Sequence, residues 1–169
     1  MRSRLALSVA ALAVLAAPVA HAQAVSGLGA VYNASKTNLI KAAEQVPEEH
    51  YGFKPTPEVR SFGQLVGHVA NANYMICSMA TGAQNPNSTN FEQSSAKTAL
   101  VEGIKASFAY CDTAYEMADA KGMEAMKLFG MDTNRMGVLA FNAGHNFEHY
   151  GNMVTYMRLK GMVPPSSQR

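Results

Sequence analysis

Two histidines stand four residues apart in Gly144-His145-Asn146-Phe147-Glu148-His149-Tyr150-Gly151. On a helix that spacing puts both imidazoles on one face, aimed at one point in space, which is how a helix holds a divalent metal. Two imidazoles still leave such an ion short of a protein ligand. The chain offers three further histidines, His21, His50 and His68, and the elements that carry them decide among the three.

His21 belongs to a leader. Met-Arg-Ser-Arg is followed by an apolar run from Leu5 to Ala17 and by Pro18-Val19-Ala20-His21-Ala22. A basic start, a short hydrophobic middle and an Ala-x-Ala site describe a secretory signal cleaved after Ala22. The run falls short of the roughly 20 residues a membrane-spanning helix needs, and no later stretch is long or apolar enough. Residues 1–22 are therefore expected to be lost, residues 23–169 to form one domain, and the product to be exported to the periplasm or the medium without a membrane anchor. Arg2 and Arg4 leave with the leader, so 12 basic residues face 12 acidic ones in the remainder. A formally neutral domain has no electrostatic footprint for nucleic acid.

His50 lies in Pro47-Glu48-Glu49-His50-Tyr51-Gly52-Phe53-Lys54-Pro55-Thr56-Pro57, a stretch too rich in proline to be one helix. Beside two glutamates it reads as a solvated loop histidine. His68 is different. Ser61-Phe62-Gly63-Gln64 has the form of a capping box ahead of an apolar run, which predicts a second helix from about Ser61 to Thr81 with His68 at the edge of its apolar stripe. There it is either packed and bonded to a carbonyl or the third ligand, and it is the one helix-borne candidate left for the pair.

Three more helices complete the pattern. Apolar residues at helical spacing mark Val25 to Val46, about Ser95 to Ala120, and Arg135 to the neighbourhood of Gly161, with Pro164-Pro165 beyond. Residues 83–94 form a polar break long enough to cross between non-adjacent corners of a bundle. The connection from Met123 to Asn134 carries Leu128 and Phe129, suited to covering an end of the core. Without a convincing alternating strand or an internal repeat, the reading is all-α: a four-helix bundle with a long crossover connection.

Glu148 invites comparison with the general base of a zinc protease, but it precedes the second histidine instead of following the first. At about 100° of rotation per residue it turns away from the shared face. It is left as a solvated carboxylate or as a partner that fixes an imidazole tautomer. The two cysteines, Cys77 and Cys111, enter an oxidising compartment together, and an even count there favours a disulfide. Cys77 lies nine residues past His68, half a turn of azimuth away, and faces away from the metal.

The runs Phe53-Lys54-Pro55-Thr56, Ser61-Phe62-Gly63-Gln64-Leu65-Val66-Gly67-His68, His145-Asn146-Phe147-Glu148-His149-Tyr150-Gly151-Asn152 and Tyr156-Met157-Arg158-Leu159-Lys160-Gly161-Met162-Val163-Pro164-Pro165-Ser166-Ser167 resemble the DinB-like family. This family of four-helix bundles is related to metal-dependent thiol S-transferases. The resemblance implies three histidine ligands at His68, His145 and His149, and activities that attach or isomerise through a low-molecular-weight thiol. Three neutral imidazoles suit a divalent metal with an open position, zinc first, with nickel, iron or copper also accepted. Two functions are expected from this: an enzyme acting on a small electrophile by thiol transfer or hydrolysis, or a non-catalytic metal-binding or scaffold bundle. A homodimer is expected, and a small-molecule substrate in the first case.

Overall fold

The computed structural model describes residues 24–168, so the leader lies outside the described residues. The elements are α1 (Ala24–Gln45), a 3-10 turn (Glu48–His50), α2 (Phe62–Thr81), a 3-10 turn (Phe91–Gln93), α3 (Lys97–Tyr115), a short α4 (Asp119–Gly122), strands β1 (Ala125–Leu128) and β2 (Met131–Asn134), α5 (Arg135–Leu159) and a last 3-10 turn (Pro165–Ser167). The four long helices surround a core that includes Tyr32, Leu39, Val66, Ile76, Leu100, Ile104, Phe108, Leu139, Met153 and Met157, all essentially inaccessible to solvent. Among the described residues no helix is long and apolar enough to cross a membrane.

The capping box forms as the sequence predicts. Gln64 N donates to Ser61 Oγ at 3.2 Å and Ser61 N donates to Gln64 Oε1 at 2.9 Å. Gly82, at φ +76°, ends the helix in the left-handed conformation that glycine adopts without a Cβ penalty. Its neighbour α5 starts where Arg135 donates from Nη1 to the Ala80 carbonyl at 2.7 Å, so α5 begins where α2 ends and the two run antiparallel.

Side-chain pairings fix the other directions. Asn73 meets Ser107, Cys77 meets Cys111 and Ser78 meets Tyr110, so α2 and α3 run parallel. Tyr32 meets Asp112 and Glu44 meets Lys105, so α1 opposes α3 and therefore parallels α5. Around the bundle the order is α1, α3, α2, α5, with chain directions up, down, down, up for α1, α2, α3 and α5.

This geometry corrects the expectation for residues 83–94. They join neighbouring corners, and the connection is long because parallel neighbours require the chain to travel back along α2 before α3 can begin. The diagonal crossings are the other two, 46–61 at one end and 116–134 at the opposite end. A second correction concerns the latter connection, which holds a hairpin with Ala125 opposite Asn134 and Leu128 opposite Met131. Its turn residues Phe129 and Gly130 have φ of +49° and +87°, the signs of a type I′ turn. Leu128 is buried against the bundle as expected of it, whereas Phe129 is exposed and packs edge-on to Phe141. The third helix is also shorter than its periodicity suggests, since it stops at Tyr115 and resumes only as α4.

Cys77 and Cys111 are joined by a disulfide across the α2–α3 seam, 34 residues apart in sequence and fully buried. On the loop-entropy account a link of that span destabilises the unfolded chain by about 3 to 4 kcal/mol. Reduction under denaturing conditions, followed by urea titration in reductant, is expected to show a loss of that order. A Cys77→Ala/Cys111→Ala double variant as stable as the oxidised wild type would contradict it.

Candidate metal centre

His68 sits in the second turn of α2, and His145 and His149 lie on successive turns of α5. What sets their relative height is a buried polar clamp lower in the same seam. Asn142 Nδ2 donates to Asn73 Oδ1 at 2.9 Å, Asn73 Nδ2 donates to Ser107 Oγ at 3.2 Å, and the Tyr115 hydroxyl is shared between Asn142 Oδ1 and the Leu139 carbonyl. With α2 and α5 pinned there and at Arg135, the antiparallel pairing carries His68 to the level of the α5 pair.

The three rings converge. Nε2 of His145 lies 3.3 Å from Nε2 of His68 and 3.0 Å from Nε2 of His149. His149 is buried at 7 % exposure, and the other two are half-buried. Among the described residues these three form the group able to hold a metal ion, and no cysteine, aspartate or glutamate joins it. The spacing fits that use: imidazole nitrogens at about 2.0–2.1 Å from one ion, at tetrahedral angles, lie about 3.3 Å apart. Hydrogen bonding alone accounts for it less well, because Nε2 of His145 carries at most one proton and meets two ring nitrogens.

Electrostatics keep the α5 pair neutral. Burial is the first cause for both, since it penalises the charged imidazolium. At His145 the neighbouring His68 and Arg60 add to the lowering, and Glu148 partly opposes it. His149 is lowered to about 4, with His145, His68 and Arg60 reinforcing burial and Glu92 opposing them. Neutral imidazole is the form that binds metal.

On the far side of the His68 ring, Nδ1 lies 3.1 Å from Glu92 Oε2, while Arg60 Nε donates to Glu92 Oε1 at 2.7 Å. Burial would raise the Glu92 carboxyl, but the hydrogen bonds from Arg60 and His68 and their positive charge outweigh it and hold the group below the usual carboxylate range. The Nδ1 atoms of His145 and His149 are buried without a partner among the protein atoms.

A cleft of about 730 Å³ reaches His149, walled in part by Arg60, Leu65, Glu148, Asn152 and Tyr156. The Tyr156 hydroxyl donates to the Arg60 carbonyl at 2.9 Å, which ties the 46–61 connection to α5 at the cleft wall. Of the three histidines, His149 lines this cleft.

The structure therefore brings together His68, His145 and His149 and leaves His50 in its own 3-10 turn. Cys77 is held in the disulfide, away from the imidazoles. Glu148, expected either in solvent or as a partner to an imidazole, is exposed in the cleft wall, and no hydrogen bond joins it to a ring. Glu92 occupies the partner position instead. Within the polar stretch 83–94 it is the single charged residue and follows the single aromatic one, Phe91, which is the signal the sequence carries for it.

A histidine neutral in the folded chain at pH values where it is charged in the unfolded chain makes stability decrease as the pH is lowered. The metal-free protein is expected to lose stability as pH drops from about 6.5 towards about 4. Urea titrations at several pH values in that window should show a smaller loss for His149→Gln, and equal losses would contradict the assignment.

The sequence pattern of the DinB superfamily matches residues 32–153. No curated protein matches the chain. Among solved structures, a DinB-like protein from Bacillus cereus superposes with a TM-score of 0.72 at 16% identity, covering 83% of this chain and 95% of its own. A DinB-like protein from Bacillus subtilis gives 0.68 at 18% identity, covering 85% and 99%. At such identities the structural likeness speaks for the fold, and the sequence match extends across α2, α3 and the histidine pair of α5. The chain belongs to the DinB superfamily.

Proposed function

We propose that this chain is an exported divalent-metal protein whose three-histidine centre works as an enzyme on a small electrophile, by thiol transfer or by hydrolysis. The observation that carries the reading is the convergence of three Nε2 atoms beside an open cleft, with no fourth His, Cys, Asp or Glu in the group. A structural metal site is closed by four protein ligands, whereas a catalytic one keeps a position for water or substrate. A metal bound there, zinc in the first instance, would lower the pKa of a coordinated water or thiol and so supply a nucleophile near neutral pH.

The residues contribute the rest. His68, His145 and His149 would hold the ion as neutral donors. The apolar wall at Leu65 and the Arg60, Asn152 and Tyr156 side chains give a small molecule both contact area and polar orientation. Export is supported by the leader and by the disulfide, which belongs in an oxidising compartment. There a reduced thiol cofactor is scarce, which leaves water as the alternative attacking group.

One observation favours a second reading, a metal-binding scaffold that pairs with a second copy. Phe129, Phe141 and Phe147 are exposed on the hairpin and on α5, and aromatic side chains of this kind are enriched at interfaces. Sedimentation equilibrium of wild type beside Phe141→Ser decides that point.

Elemental analysis of purified wild type beside His149→Ala tests the metal reading. About one divalent ion per chain is expected in the wild type, with loss of metal and an unchanged far-UV spectrum in the variant. Equal metal content in both would overturn the assignment. For the enzymatic reading, turnover of small electrophiles with and without added thiols is expected to vanish on chelation and return with metal; metal-loaded protein inert under both conditions would leave the scaffold.

A further inference from the structure

Because α2 and α3 run parallel, residues 82–96 travel back along α2, and they do so in contact with it. Asn71 Nδ2 donates to Asn90 Oδ1 at 2.8 Å and Phe91 N donates to Asn71 Oδ1 at 3.1 Å. The Phe91–Gln93 turn then crosses the seam at two glycines. A Cβ on Gly67 would lie 2.6 Å from the Glu92 amide nitrogen, and one on Gly103 would lie 2.9 Å from Cζ of Phe91. Glycine is a poor residue for a helix interior. At both positions, however, a backbone segment or an aromatic ring fills the place a methyl group would take, so the glycines act as notches.

The turn seated in these notches places a carboxylate behind the His68 ring. Glu92 has both oxygens engaged, Oε1 by Arg60 Nε at 2.7 Å and Oε2 by His68 Nδ1 at 3.1 Å, and a carboxylate oxygen in such a pair accepts. In the neutral imidazole Nδ1 of His68 is then the protonated nitrogen, and the lone pair stands on Nε2, the atom that faces His145.

We infer that residues 82–96 form a positioning strap for the histidine centre: the notches at Gly67 and Gly103 seat Phe91 so that Glu92 fixes the tautomer and direction of the His68 ring. Glu92 is a positioning residue that acts through His68. A carboxylate behind a metal-binding imidazole orients the ring and raises its basicity, and loss of such a partner commonly costs 10- to 100-fold in affinity. The metal-affinity consequence rests on the function proposed above, whereas the tautomer does not.

The experiment therefore has two arms. In metal-free protein labelled with 15N at histidine, observed at neutral pH, wild type is expected to show His68 protonated at Nδ1, and Glu92→Ala is expected to shift it towards the Nε2-protonated form. In zinc titrations Glu92→Ala is expected to weaken binding by roughly 10- to 100-fold. Glu92→Gln, which keeps an acceptor oxygen, should recover part of both signals. Gly67→Ala, with Glu92 intact, should reproduce the tautomer shift, and Gly103→Ala serves if that variant fails to fold. The exposed Gln93→Ala on the same turn should leave both readouts at wild-type values. A Glu92→Ala protein with the wild-type tautomer, or glycine variants that fold and leave His68 unchanged, would overturn the strap. Wild type that binds no zinc would remove the proposed function and leave the tautomer arm to decide this inference.

Discussion

The hydrogen bond between the buried amides of Asn73 and Asn142 fixes the height at which α2 and α5 face each other. A slip of one helical turn, about 5.4 Å, would carry His68 out of reach of His145 and His149. It would also leave polar groups unpaired in a dry interior, at about 1–3 kcal/mol for each. Apolar packing between two helices tolerates such slips better than a directional bond does. The clamp extends to Ser107 and Tyr115 on α3, and one turn along from Asn73 and Ser107 the disulfide closes the same seam. Polar pairing sets the register, and the covalent link keeps the parallel neighbour beside it.

Above the clamp the chemistry changes from hydrogen bonding to lone pairs. Burial that makes an amide demand a partner makes an imidazole shed its proton. The same dry seam therefore locks the helices and prepares the donors. Arg60 adds a positive field at the α5 pair, which with burial favours the neutral form of those two rings, and Glu92 meets the far side of the His68 ring and gives it its direction.

Much of this was legible in the chain because it depends on local rules. The Ser61–Gln64 box, the glycine stop at Gly82 and the four-residue spacing of His145 and His149 are all settled within a turn or two of helix. What escaped depends on distant partners or on a local exception. The hairpin was hidden by Phe129, a residue rarely found at positive φ, where asparagine or glycine would have announced the turn. The corners joined by residues 83–94 could not be read from loop length, since a parallel neighbour and a diagonal crossing need similar lengths of chain. Glu92 escaped because its importance comes from Gly67 and Gly103, which lie on two other elements and which glycine's ordinary roles in turns and caps do not flag.

The up, down, down, up course of the helices has a practical side for anyone handling the molecule. α1 begins at the end of the bundle remote from the imidazoles and climbs for about 33 Å, at about 1.5 Å per residue, whereas the tail folds back until Ser166 bonds the hydroxyl of Tyr150, the residue next to His149. A polyhistidine affinity handle carried by that tail would thus be tethered on the side of the natural donors and compete with them for the same ion. Fused ahead of Ala24, it would stand at the opposite pole.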